Sequence, residues 1–275
     1  MESLLYKGRI ICCFLFLCCS CFAKDYRDTA LWLELFSPKA AAMGEIPLAD
    51  DPLAALWNPT GLLELKGDKL SFLCKQSPLS IGTYAFAWGR NSLSIGALSW
   101  GSSQIAFDSF GNSLGDAKVE GRALFLGKAL QLHRNLSCGI SLLVCDQDLA
   151  GKFDRGGSIS LALAGNWGQW KLGLGARDII GKLGEDPLET KVGLRVTYHL
   201  EELTVAAQWQ RQHLHLGGEY AASPNVRLRL GGIFGDTPNY FWGIGLVQSG
   251  WQLDFAWRLH SHLPREFTAG GGYLF

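Results

Sequence analysis

The stretch 251–260 reads Trp251, Gln252, Leu253, Asp254, Phe255, Ala256, Trp257, Arg258, Leu259, His260, and it alternates without a slip. Trp251, Leu253, Phe255, Trp257 and Leu259 fall on one side, and Gln252, Asp254, Ala256, Arg258 and His260 on the other. A strand turns successive side chains to opposite faces, so this decapeptide is a β-strand with one apolar and one polar face. Residues 266–275 repeat the arrangement, with Phe267, Ala269, Gly271, Tyr273 and Phe275 opposed to Glu266, Thr268, Gly270, Gly272 and Leu274. A soluble sandwich alternates too. Here, however, the apolar face is aromatic, the polar face carries full charges, and Phe275 is itself part of the pattern. Barrels in lipid have this arrangement: apolar side chains outward, polar ones toward the lumen and aromatic girdles at both interfaces. The fold class expected is therefore all-β, a transmembrane antiparallel up-and-down barrel.

Working back from these two strands, period two persists to about residue 67. Fourteen candidate strands result, near 69–76, 80–89, 92–101, 118–132, 135–145, 157–167, 169–178, 189–200, 202–211, 213–222, 225–235, 239–248, 251–260 and 266–275. Most are close to the roughly 9 to 11 residues that a tilted strand needs to cross a bilayer. Links at Arg90 and Asn91, His133 and Arg134, Gly168, Glu201, and Ser249 and Gly250 are tight, whereas 102–119, 146–156 and 179–188 read as long loops. Only the link at Arg211 and Gln212 breaks the alternation. Short periplasmic turns and longer extracellular loops are the habit of these barrels, and an even strand number puts both ends of the barrel on the periplasmic side.

Composition agrees. There are 34 Gly, 9 Pro and 10 Trp, and charged residues are only 18%. The formal net charge of zero argues against nucleic acid as a partner, because phosphate binding requires a basic surplus. Lys7 and Arg9 precede an apolar run from Ile10 to Leu17, then Cys18, Cys19, Ser20, Cys21, Phe22 and Ala23. This reads as a signal peptide over 1–23 with cleavage after Ala23, lipidation of Cys21 being the alternative. Residues 24–66 are not strand-like, with short helices expected over 28–36 and 51–56, and 67–275 form the barrel. Cys74, Cys138 and Cys145 have no metal-ligand spacing.

The luminal face carries a polar set biased toward cations in the second half of the barrel: Arg195, His213, His215, Glu219, Arg227, Arg229, Asp254 and Arg258, with Lys171, Lys191 and His199. Either these groups hydrate the lumen and pair with Glu219 and Asp254, or Arg195, Arg227 and Arg229 attract a carboxylate-bearing solute through the fixed fork of the guanidinium group. His213 and His215 share a face but have no third metal ligand. The run Gly270, Gly271, Gly272 precedes no helix and so forms no phosphate cradle. No catalytic constellation and no cofactor are expected.

Residues 39–65 read KAAAMGEIPLADDPLAALWNPTGLLEL. Met43, Gly44, Leu48, Ala49, Asp50, Asp51, Pro52, Ala54, Trp57, Asn58, Pro59, Gly61 and Leu62 resemble the N-terminal signature of the FadL-like and PorV-PorQ-like outer-membrane barrels. Thr60 stands where the signature has Ala, and Glu45, Ile46 and Pro47 stand where small residues are expected. The resemblance implies that 24–66 is a hatch folded inside the lumen, that Met43, Gly44, Asp50, Asp51, Trp57, Asn58, Pro59 and Gly61 belong to the hatch or to a ligand path beside it, and that Tyr273 and Phe275 serve as the signal to the barrel-assembly machinery. It implies the outer membrane of a diderm bacterium, surrounding membrane lipid, and one of two roles. One is uptake of hydrophobic or amphipathic, fatty-acid-like molecules past the hatch. The other is a PorV-like role, holding or shuttling a secreted-protein partner.

Overall fold

The computed structural model describes residues 36–47, 51–77, 81–107, 113–149, 151–260 and 265–275. The expected signal segment, most of the helix expected over 28–36, and Asp50 lie outside them. Fifteen strands follow one another: β1 (Asp68–Gln76), β2 (Gly82–Arg90), β3 (Leu93–Phe107), β4 (Ser113–His133), β5 (Leu136–Leu149), β6 (Lys152–Trp167), β7 (Trp170–Leu183), β8 (Asp186–Pro187), β9 (Lys191–His199), β10 (Leu203–Gln210), β11 (His213–Ser223), β12 (Val226–Phe234), β13 (Asn239–Gln248), β14 (Trp251–Leu259) and β15 (Glu266–Leu274). Every pairing is antiparallel between chain neighbours, except that β7 also pairs with β9 beyond the two-residue β8, and β1 closes the ring on β15 with Leu70 opposite Tyr273. The result is a closed barrel of fourteen strands with β8 as a short extra pairing on β7, and closure gives each of the fourteen a partner on both sides.

Tight turns at 91–92, 134–135, 168–169, 224–225 and 249–250 gather at the end where β1 begins and β15 finishes, and the Phe275 amide donates to the Asp68 carbonyl there (2.9 Å). The other end departs from expectation. The stretches 102–119 and 146–156 are not long loops: the ladder continues through them, with Ser102 opposite Val119 and Leu149 opposite Lys152. In the second stretch Asp146, Asp148 and Arg155 interrupt the apolar outer face, which hides a strand from a search for lipid-facing alternation. Cross-strand pairing supports them instead, as where Arg122 meets Asp146 through two hydrogen bonds of 3.2 Å. The third expected loop, 179–188, is likewise β7 running on to Leu183 and turning back as β8. The β3–β7 side of the wall therefore stands taller than the β9–β15 side.

The outer surface is that of a membrane-spanning wall. Leu142, Leu194, Val205, Leu216, Leu228 and Leu230 are exposed along the middle of their strands, Leu230 to 69%. Such a continuous apolar surface is a liability in water and the norm in lipid. Aromatic rings bracket it. Near the tight turns Trp170 lies 4.5 Å from Tyr198 and Trp251 lies 4.6 Å from Tyr273 between ring centroids; toward the other end Trp242 stacks on Trp257 at 4.1 Å. Lys128 also faces outward, in register with Leu93 and Ile140, and its ammonium reaches the Asn91 carbonyl in the β2–β3 turn (3.3 Å). A lysine that extends to the interface in this way keeps its charge out of hydrocarbon.

Candidate functional site

The segment before β1 is built from short capped turns. Ser37 caps α1 (Pro38–Ala42) by accepting from the Ala40 amide at 3.3 Å, and Asp51 caps a 3-10 turn over Pro52–Leu56 by accepting from the Leu53 amide at 2.9 Å. A second 3-10 turn, Pro59–Glu64, follows Asn58. Proline at the first position suits each turn, because the missing N–H has no intrahelical partner there.

This segment packs against the inner faces of the strands in two different ways. Leu53, Leu56, Trp57 and Leu62 join Leu73, Leu98, Trp100, Phe125 and Leu143 in one apolar cluster on the β1–β5 side, with Trp57 stacked on Phe36 at 5.3 Å. The Ser94 hydroxyl donates to the Pro52 carbonyl there (2.8 Å). On the β9–β15 side the contacts are polar. His215 Nδ1 lies 2.7 Å from the Gly44 carbonyl, Arg258 pairs with Glu45 at 2.8 Å, and the Arg195 guanidinium donates to the Pro47 carbonyl. Glycines on the inner face make the approach possible. A Cβ at Gly217 would lie 2.4 Å from the Met43 carbonyl oxygen, and one at Gly139 would lie 2.7 Å from the Thr60 nitrogen.

Arg229 is the centre of the luminal charges. It donates to Glu219 at 2.6 Å and to Asp254 at 2.5 Å, Gln252 donates to the second Asp254 oxygen at 2.6 Å, and Lys39 approaches Glu219 at 4.0 Å. Gly245 leaves room for it: a Cβ there would be 2.7 Å from the guanidinium. Thus Arg229 is matched by two carboxylates. Arg227 donates to the Ser223 carbonyl (2.8 Å), and Arg195 is held by the segment, so the three arginines do not converge on one anion site. His213 and His215 do not come together on a metal either: His215 is bound to Gly44, while the His213 ring lies beside Gly235, and no group of three metal-ligating side chains exists among the described residues.

Asn58 and Arg195 converge on the Pro47 carbonyl, one from the segment and one from the wall. Asn58 Nδ2 approaches the same Pro47 carbonyl at 3.5 Å, and its Oδ1 accepts from the Thr60 hydroxyl at 2.7 Å. On either side lies a hollow. One of about 30 Å³ is lined by Trp57, Arg177, Lys191, Gln208 and Gln210, and one of about 220 Å³ by Lys39, Glu64, Lys171, His199 and Thr204; both include Pro47, Asn58 and Arg195. Lys171, His199 and Thr204 sit near the tight turns, whereas Lys191 and Gln210 sit at the far ends of β9 and β10, with Arg177 of β7 opposite Lys191. The two hollows thus lie in series along the inner face of β7, β9 and β10, with the Pro47, Asn58 and Arg195 contact between them. Beside the smaller one, β7 bulges: Ile159 pairs with Ile180 and Leu161 with Ala176, leaving Arg177, Asp178 and Ile179 opposite Ser160 alone. Asp178 is buried at φ 55° with Oδ2 lacking a hydrogen-bond partner, a strained arrangement of the kind found at functional walls.

Of the residues singled out in the sequence, Met43, Gly44, Trp57, Asn58, Pro59 and Gly61 are buried against the wall and Asp51 serves as a cap. Tyr273 and Phe275 meet edge to face at 4.9 Å beside the end of β15. Of the departures from the signature, Thr60, Glu45 and Pro47 each make a hydrogen bond or ion pair in the lumen, and Ile46 packs with Met43 and Ala206. The luminal glycines and the carbonyl acceptors were missed, although glycine recurring on the polar face of strands was a legible sign of close approach.

No family model matches this sequence, and no curated protein sequence does. Solved structures do share the fold. A Pseudomonas aeruginosa FadL homologue superposes with a TM-score of 0.62 at 10% identity, covering 86% of this chain and 98% of its own. The Pseudomonas putida toluene transporter TodX gives 0.62 at 11% identity (88% and 99%), and the CymD monoaromatic hydrocarbon channel 0.64 at 11% (87% and 97%).

Proposed function

We propose that this chain is an outer-membrane uptake barrel for hydrophobic or amphipathic small molecules, with residues 24–66 acting as the hatch. The fold it shares with a FadL homologue and with hydrocarbon channels supports this reading. The observation that carries it is the pair of hollows in series, divided by the contact of Pro47, Asn58 and Arg195. Trp57 and Phe36 offer an apolar border and Arg177, Lys191, Lys171 and His199 a polar one, a combination that suits an amphiphile with a fatty-acid-like head and tail. A molecule descending the β7–β9–β10 wall reaches the larger hollow only when Pro47 leaves Arg195.

Arg195→Met tests the role of this contact. A hydrogen bond to a charged group contributes about 1.5 to 3 kcal/mol, so releasing it shifts the segment toward its displaced state by roughly tenfold or more. Uptake of a radiolabelled medium-chain fatty acid into proteoliposomes is expected to rise accordingly. Uptake unchanged by the substitution contradicts the gate. A wild-type barrel that takes up nothing and instead co-purifies with a secreted protein contradicts transport altogether and favours a PorV-like anchoring role.

A further inference from the structure

A molecule that has passed the contact of Pro47, Asn58 and Arg195 still has to leave the barrel, and the wall around the larger hollow is continuous. β7 pairs with β9 without a slip over 170–177 and 191–198, β9 with β10 over 193–199 and 204–210, and β10 with β11 over 203–210 and 213–220. On its other side β7 stays paired with β6 over 161–167. Such a ladder parts only by breaking a row of backbone hydrogen bonds, and hydrocarbon offers nothing to replace them. Among the described residues of these pairings the one interruption is the β7 bulge, and it lies beyond the contact, beside the smaller hollow. It is sealed: Ala176, Asp178 and Ser160 are buried, the Asp178 amide donates to the Ser160 hydroxyl (3.1 Å), and the Thr190 hydroxyl donates to the Asp178 carbonyl (3.2 Å). A solute leaving there would never meet the contact at Arg195.

The larger hollow, of about 220 Å³, differs in kind from a path into lipid. Of its described lining only Pro47 is apolar: Glu64 pairs with Lys171, Lys39 approaches Glu219 at 4.0 Å, and His199 Nδ1 lies 3.1 Å from the Thr204 hydroxyl. Glu219 is shared with Arg229, and Arg195 is held by Pro47, so these charges are matched and single out no ion. A polar space of this size has room and partners for several waters. It also opens at one end. Along the inner face of β9, Thr197 is 2% exposed, whereas His199, the next position on that face toward the tight turns, is exposed, and so is Glu64. With the tight turns on the periplasmic side, that opening faces periplasmic water.

We infer that the solute is released along the barrel axis, through the larger hollow and past His199 into periplasmic water, and not sideways through the wall into lipid. The inference rests on the uptake reading above and narrows its substrate class to amphiphiles that dissolve as single molecules, because a long apolar chain gains nothing by entering a hydrated, charged chamber.

Octanesulfonate, a permanently charged amphiphile, separates the two routes, since its head does not cross hydrocarbon unaided. Radiolabelled sulfonate is added outside proteoliposomes that show barrel-dependent uptake of a medium-chain fatty acid, and albumin in the outer medium then extracts whatever remains in the outer leaflet. Axial release leaves label in the vesicle interior, beyond extraction. Label that stays fully extractable overturns axial release while the uptake reading stands; barrels that take up neither compound overturn both. A second measurement uses His199→Cys in a background with Cys74, Cys138 and Cys145 replaced by serine. A polyethylene glycol attached there through a disulfide is expected to abolish entry of the sulfonate, with recovery on reduction. The same reagent on Tyr198→Cys, the neighbouring position of β9 that faces lipid, is expected to leave entry unchanged. Equal entry with and without the His199 conjugate overturns release past His199.

Discussion

Replacing Gly231 by valine drives residues 36–47 out of their seat and makes a closed barrel conduct. A Cβ at this position would lie 2.2 Å from the Gly44 nitrogen, 2.5 Å from the Met43 carbonyl carbon and 2.9 Å from the Ala42 oxygen. All three are backbone atoms, so no rotamer change relieves the clash; the segment itself must shift. The strand has no such difficulty, because valine favours a pleated wall. In planar bilayers the variant is expected to show steady conductance where wild type is nearly silent, and Lys39 becomes a site of tryptic cleavage. Gly218→Val is the matched control. It lies in the adjacent position of β11 facing outward, with its nearest atom 3.9 Å away, and is expected to behave as wild type.

The second large effect concerns stability. The Arg229 side chain is 1% exposed and its partners Asp254 and Glu219 are 6% and 14% exposed. Arg229→Ala leaves two carboxylates facing each other without their cation, and breaking a buried pair from one side costs about 3 to 5 kcal/mol. Urea unfolding of the barrel in lipid vesicles reads this directly. The combination Arg229→Met, Glu219→Gln and Asp254→Asn removes the charges together, and it is expected to recover most of the loss, because an uncharged set of similar volume carries no ionic desolvation cost. A triple variant as unstable as Arg229→Ala contradicts this account of the network.

How much of this was legible beforehand depends on what each feature is made of. The strands were legible because lipid on one side and a polar lumen on the other impose period two, and 251–260 shows it in full. The same signal fails above the membrane: β4 before residue 118 and β5 beyond residue 145 read as loop, although the ladder runs on through both. Arg229, Glu219 and Asp254 were assigned to one face by alternation alone, but their mutual pairing depends on the registers that set Glu219 against Arg229 and Gly245 against Asp254. The partners of Arg195 and His215 were invisible, since both are backbone carbonyls, of Pro47 and Gly44, and any residue supplies a carbonyl. The motif that includes Asn58 and Pro59 marked the segment. Two of the positions that depart from the motif, Glu45 and Pro47, add polar contacts to the wall through Arg258 and Arg195.

The measurement closest to the central claim asks whether the segment must move for a molecule to pass. Cysteines at Glu45 and Arg258, whose side chains meet in an ion pair between segment and wall (2.8 Å), in a background with Cys74, Cys138 and Cys145 replaced by serine, are joined through disulfides by a short reducible bis-methanethiosulfonate linker. Fatty-acid uptake by proteoliposomes is then measured before and after reduction. Loss of uptake in the linked barrel and its return on reduction is the predicted result; equal uptake in the two states would contradict a mobile hatch and place any passage elsewhere in the wall.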